Sequence, residues 1–170
     1  RSILDARVRM QYVELMNICA TQHPENNLAY AKRGVEVMKE AVAIQPLFAR
    51  LWIFLGGFTN VQASLEKDPA QKSALLSQAN DYLKKASELA PDHQELIMEQ
   101  AKVDMILQDY TAMAKTSQQC IALYPDVGNC YFLYALSNIY LGQITTAEEN
   151  LQIAKAKNFV YRPITQPLDF

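Results

Sequence analysis

The sequence predicts an all-α protein, built from about four helical hairpins stacked as a repeat solenoid, and three observations carry that prediction. First, Pro91 and Pro125 stand 34 residues apart, and Phe159 follows another 34 further on. Second, twelve residues before Pro46, Pro91, Pro125 and Phe159 stand Gly34, Ala79, Met113 and Ala147, and five residues before stand Ala41, Ala86, Cys120 and Ala154. All but Met113 are small. With Met38, Leu83, Ser117 and Leu151 between them, the spacing is four then three, which is one face of an α-helix closed by each proline. Third, six residues after the prolines come Trp52, Ile97 and Tyr131, followed one turn later by Leu55-Gly56, Gln100-Ala101 and Tyr134-Ala135. A large residue followed by a small one describes a helix whose neighbour approaches closely at the small position.

The elements follow in order. Unit one, about residues 3–46, is interrupted by His23-Pro24-Glu25-Asn26-Asn27, so its helices are expected over Ile3 to Cys19 and Asn27 to Ile44. Unit two, about 47–91, carries eleven extra residues around Ser64 to Ala74, expected as a lengthening of both its helices, with Asp68 capping a helix that starts at Pro69. Unit three is about 92–125 and unit four about 126–159, the latter with Gly142 at its hairpin turn and no closing proline. The tail 160–170 contains Pro163 and Pro167, which discourage helix, and offers Tyr161, Ile164, Leu168 and Phe170 either as an apolar cap for the stack or as the start of a continuation.

These motifs resemble the tetratricopeptide-repeat (TPR) family, whose 34-residue unit carries W-x₂-L-G in its first helix, a small residue in its second, and a closing proline. Trp52-Ile53-Phe54-Leu55-Gly56 matches the first element letter for letter, while unit three carries Gln100, Met113 and Ser117 where the family prefers Leu, Ala and an aromatic. The resemblance spans about 150 residues and implies a right-handed superhelix. The later units, with Cys120-Ile121-Ala122-Leu123-Tyr124-Pro125, are also similar in style to the TPR tails of bacterial O-antigen ligase or polymerase membrane proteins.

Composition narrows the function. Half the residues are hydrophobic and a fifth charged, which excludes low-complexity disorder. The longest apolar run, Leu51 to Phe58, falls well short of the roughly 20 residues of a membrane span, so a soluble segment with no direct membrane insertion is expected. Sixteen Lys and Arg against eighteen Asp and Glu give no net attraction to nucleic acid. The charge is uneven, with seven bases and five acids over residues 1–50 and nine against thirteen over 51–170. The chain opens on Arg1 rather than Met, as a processed product or a piece of something longer would, and its odd cysteine count favours a reducing, cytoplasmic setting or the soluble face of a membrane protein.

Catalytic chemistry is not expected. His23 and His93 both fall in connections and are expected to be solvated. Cys19 and His23 lack the second ligand pair that a structural zinc needs, and Gly56-Gly57 lies inside a helix rather than in a phosphate loop. No cofactor and no metal are expected. Cys120 reads as a buried apolar filler, with a disulfide to Cys130 as the alternative if their Cα atoms approach closely.

A helical solenoid binds through the concave groove lined by the first helix of each unit. The register directs Arg50, Ile53, Phe54, Gly57, Asn60 and Val61 of unit two into it, and then Glu95, Met98, Glu99, Lys102, Met105 and Ile106 of unit three. Unit four adds Asn129, Phe132, Leu133, Leu136, Ile139 and Tyr140. What the resemblance implies, a carboxylate clamp for chaperone C-terminal peptides, needs basic residues where Glu95 and Glu99 stand, so that mode is disfavoured. The expected function is a non-catalytic scaffold for a protein or peptide with a basic residue beside an apolar anchor that reaches Phe132 and Leu136, unless the two acids are simply a solvated face. The alternatives are a TPR appendage of a larger membrane glycan polymerase or ligase, and a subunit that self-associates head to tail.

Overall fold

A computed structural model describes residues 3–159; the expected tail or cap over 160–170 lies outside the described residues. Among the described residues eight α-helices run in four successive pairs: α1 (Ile3–Gln22), α2 (Asn27–Ile44), α3 (Ala49–Leu65), α4 (Pro69–Leu89), α5 (Gln94–Ile106), α6 (Tyr110–Leu123), α7 (Gly128–Tyr140) and α8 (Ile144–Ala156). Each helix packs on the next in sequence, and the odd helices also touch one another, α3 on α5 and α5 on α7. That adjacency makes the stack a solenoid rather than a closed bundle. A 3-10 turn, Pro24–Asn26, bridges α1 and α2, and α1 runs three residues beyond Cys19 before it.

The eleven extra residues of unit two lengthen its helices to 17 and 21 residues, against 13 and 14 in unit three. Asp68 caps α4 by accepting from the N–H groups of Ala70 and Gln71 at 2.8 and 3.1 Å. Gly56 gives α4 its close approach, because a Cβ there would stand 2.7 Å from Leu83 Cδ2.

Each proline ends its pair by the same device, a tight turn after a helix whose cap N–H bonds four residues back, from Gln45 to Ala41, Ala90 to Ala86 and Tyr124 to Cys120. The large residue six positions after the proline then ties back to that turn. Trp52 Nε1 donates to the Pro46 carbonyl at 2.7 Å, and Tyr131 Oη to the Pro125 carbonyl at 3.1 Å. Trp52 is therefore half-buried, wedged where two core clusters meet and beside Tyr82, rather than sealed in the interior. Unit three has Ile97 there, which cannot donate and lies fully in the core.

Two local expectations change. His93 sits at the start of α5 half-buried, with its Nδ1 out of solvent and without a hydrogen-bond partner, whereas His23 is exposed beside Glu25. Cys120 and Cys130, both buried, are joined as a disulfide across the α6–α7 connection with Cα atoms 5.5 Å apart. Their register explains it. Cys120 lies in the last turn of α6, Cys130 lies in the first turn of α7, and the proline turn between them folds the two positions together.

Candidate functional site

A cavity of about 850 Å³ lies between the C-terminal part of α1, the start of α2, and α3 and α5. The helical spacing puts Ile53, Phe54, Gly57, Asn60 and Val61 of α3 on one wall. On α5, Glu95, Met98, Glu99, Lys102, Met105 and Ile106 take the facing positions. The wall is mainly apolar, with the charged groups arranged in two compensated sets.

Arg50, just outside the cavity, donates from Nε and Nη2 to both carboxylate oxygens of Glu95, each at 3.0 Å. Glu14 of α1 approaches the same guanidinium at 3.6 Å, and the guanidinium lies 5.4 Å from the centre of the Phe54 ring. Glu99 accepts from Lys102 Nζ and, at 3.5 Å, from Asn60 Nδ2. The middle of the groove is thus not the open acidic face that Glu95 and Glu99 suggest in sequence. Each carboxylate already has a cation within the chain, because the spacing that places acids on one helix face says nothing of which side chain the neighbouring helix brings opposite. One face remains polar without being charged. Asn60 is buried with its Oδ1 unpartnered, and Asn27 Oδ1 on the opposite wall is likewise out of solvent and unpartnered.

Unit four does not join this cavity. Asn129 borders a separate small hollow with Asp126 and Lys157, and Phe132 stacks on Phe159 with ring centres 4.6 Å apart. Leu133 and Leu136 pack against Ala101 and Met113, and Tyr140 lies flat on Tyr110 at 4.3 Å. Aromatic and aliphatic bulk at positions held by Glu99, Lys102 and Ile106 in unit three fills the space that those residues leave open.

The first unit supplies a wall that the expected set lacks, with Asn17, Ile18, Asn27 and Tyr30. The signal lies in the sequence, since Asn17-Ile18 stands 43 residues before Asn60-Val61, but the Pro24 interruption hides that register. Among the described residues no cluster of three or more His, Cys, Asp or Glu is placed to hold a metal, and no helix is long and apolar enough to cross a membrane.

Set against solved structures, the chain superposes on a thermophilic TPR protein of Thermus thermophilus, TTC0263, with a TM-score of 0.69 at 18% identity, over 97% of this chain and 92% of that one. The fold is that of the TPR proteins. Two MamA structures also share the TPR-like path: one from MSR-1, with a TM-score of 0.56, 16% identity and coverage of 86% and 76%, and one from AMB-1, with 0.57, 18%, 90% and 92%. No family model and no curated protein matches the chain. At these identities the TPR likeness concerns the fold, and none of these comparisons bears on the resemblance to O-antigen ligase tails.

Proposed function

We propose that this chain is a non-catalytic protein-interaction scaffold that holds an extended peptide segment or a loop of a partner subunit in the cavity between its first three units. The cavity itself carries the reading: about 850 Å³, lined mainly by apolar side chains and bordered by hydrogen-bonded polar groups. Such a surface offers pockets for apolar anchors and fixed acceptors for a peptide backbone. With Glu95 and Glu99 already paired, a basic side chain on the partner would compete with Arg50 and Lys102, so affinity comes from apolar anchors against Phe54, Met98 and Ile106 rather than from charge.

The test is a selection of displayed randomised peptides, each about 12 residues and so near 40 Å when extended. Val61 is exposed on the cavity rim, so Val61→Trp should block the groove without disturbing the core. Selected peptides are expected to bind the parent chain and to lose at least about tenfold in affinity for the variant. Peptides that bound both proteins equally, or a selection that returned none, would move the site elsewhere.

A further inference from the structure

The turns that join one helix pair to the next are built around the same two positions. Leu51 follows Ala41 by ten positions, and Leu96 follows Ala86 by ten. Each alanine lies in the last turn of its helix and accepts the cap hydrogen bond, from Gln45 and from Ala90. Each leucine is the third residue of the helix that follows. The two members of a pair share one core cluster, and all four side chains are 0% exposed. An alanine against a leucine is thus the apolar contact that fastens unit two to unit one and unit three to unit two.

The third turn carries Cys120 and Cys130 at these positions, with the same separation of ten and exposures of 1% and 0%. Its backbone is unchanged. Cys120 accepts the cap bond from Tyr124, and Cys130 N–H bonds the Val127 carbonyl at 3.2 Å as Leu51 N–H bonds that of Phe48 at 3.1 Å. The side chains differ in reach. A leucine carries two methyl groups beyond its Cγ, whereas a cysteine ends at Sγ, so two cysteines fill less space than the alanine and leucine they replace. Their cluster adds Ile97 as its further buried side chain, while Leu51 sits among Met38, Leu55 and Phe58.

We infer that the joint between units three and four is a redox-sensitive latch, closed by the Cys120–Cys130 bond and loosened locally when that bond is reduced. A covalent bond stands here where the other two joints have a leucine's methyl groups. A dithiol reductant supplies two electrons and two protons: the S–S bond breaks, both sulfurs become thiols, and the dithiol closes to its own cyclic disulfide. What remains at the joint is a pair of small buried thiols, underpacked and no longer tied across the turn.

Burial sets the rate at which the latch responds. Exchange needs a thiolate to reach one of the two sulfurs, and both are out of solvent, so the α6–α7 seam has to open before the bond can change state. Packing sets the extent of the response. In a stack each unit contacts its neighbours alone, so loosening at this joint does not pass to α2 or α3, which lie on the far side of unit three. The latch requires no peptide in the cavity and stands apart from the function proposed above.

Amide hydrogen exchange on the full chain, read by mass spectrometry, tests this. Protein refolded with oxidised glutathione is expected to titrate in urea with Cys19 as its free thiol, and protein refolded with dithiothreitol with all three cysteines free. Kept in dithiothreitol, the reduced chain should exchange the amides of residues 117–134 at least about tenfold faster than the oxidised chain, with residues 30–65 unchanged. Cys120→Ala combined with Cys130→Leu installs the pair used at the other joints and should match the oxidised wild type with or without the dithiol. Cys120→Ala combined with Cys130→Ala has neither the bond nor the methyl groups and should match the reduced one. Three free thiols after refolding with oxidised glutathione would overturn the inference, because no latch would form. So would equal exchange in the oxidised and reduced chains, or faster exchange throughout the molecule, which would make the bond a condition of the whole fold. An Ala–Leu variant that exchanged like the reduced chain, or failed to fold, would deny the equivalence of the joints and overturn it as well.

Discussion

Units three and four have the same helix bounds to within one residue after an offset of 34, so their residues compare one for one. At the positions where the helices of a pair meet, the two agree. Ala101 and Ala135, Met113 and Ala147, and Cys120 and Ala154 are all buried. At the groove positions they part company: Met98, Glu99, Lys102 and Ile106 line an open cavity, while Phe132, Leu133, Leu136 and Tyr140 pack away or stack on rings. The comparison teaches that a few packing positions set the backbone of a unit, and that the rest are free to leave a hollow or to fill one.

Exchanging residues between the two units sharpens that lesson. The largest effect is expected from Gly128→Gln, which imports the residue that starts α5. A Cβ at 128 would stand 2.8 Å from both the Ala154 carbonyl and Phe159 Cβ, so backbone has to move, and chemical denaturation should show a loss of about 2–3 kcal/mol. An unchanged midpoint would mean that the end of α8 yields freely and that the units are less alike than their bounds suggest.

A smaller pair of changes concerns the hairpin turns. Gln108 and Gly142 occupy the same position and both have left-handed backbone, with φ of 58° and 73°. An L-residue pays about 1 kcal/mol for that conformation, and a Cβ at 142 meets nothing within 4 Å, so the cost is the backbone's alone. Gln108→Gly should therefore raise stability by about 1 kcal/mol and Gly142→Gln lower it by a similar amount. Thermal melting of the two variants, scored for opposite signs, checks the equivalence of the turns.

The smallest expected effect is a pH dependence. Asp104 of unit three corresponds to Asn138, which is buried with its Nδ2 on the Tyr134 carbonyl at 2.7 Å. Burial pushes the Asp104 carboxyl above its ordinary pKa, a shift that the hydrogen bond from Thr116 Oγ1 at 2.9 Å partly offsets and the charge of Asp109 reinforces. A carboxyl whose folded pKa is raised favours the folded state below its unfolded pKa, near 4, and that contribution is lost as pH rises through the folded value. Asp104→Asn should flatten the fall in stability from about pH 4 upward and leave the neutral-pH fold no less stable. Urea midpoints measured across that range decide it, and parallel slopes for the two proteins would contradict the assignment.

Fold and site were legible in the sequence to different depths. The helix pairs, their boundaries at Pro46, Pro91 and Pro125, the cap at Asp68 and the long hairpin of unit two follow from local chemistry: spacing on one helix face, a missing N–H, a side chain that bonds the first turn. Those rules act within a few residues, and the 34-residue repeat states them several times over. The register also put Phe54 and Asn60 on one face of their helix and Met98 on one face of the next, and these three line the same cavity, because helix phase in a solenoid sets which side chains can meet. Beyond that, sequence was silent. Whether Glu95 and Glu99 stand free depends on Arg50 reaching across from the neighbouring helix and on Lys102 folding back, and whether Phe132 lines a groove depends on Phe159 lying over it. The Cys120–Cys130 bond and the cavity wall supplied by α1 depend likewise on residues brought together from separate helices. Periodicity fixes the direction in which a side chain leaves its own helix; only the packed structure decides what stands opposite it, because ion pairs, stacked rings and cavities are properties of two surfaces and each stretch of sequence describes one.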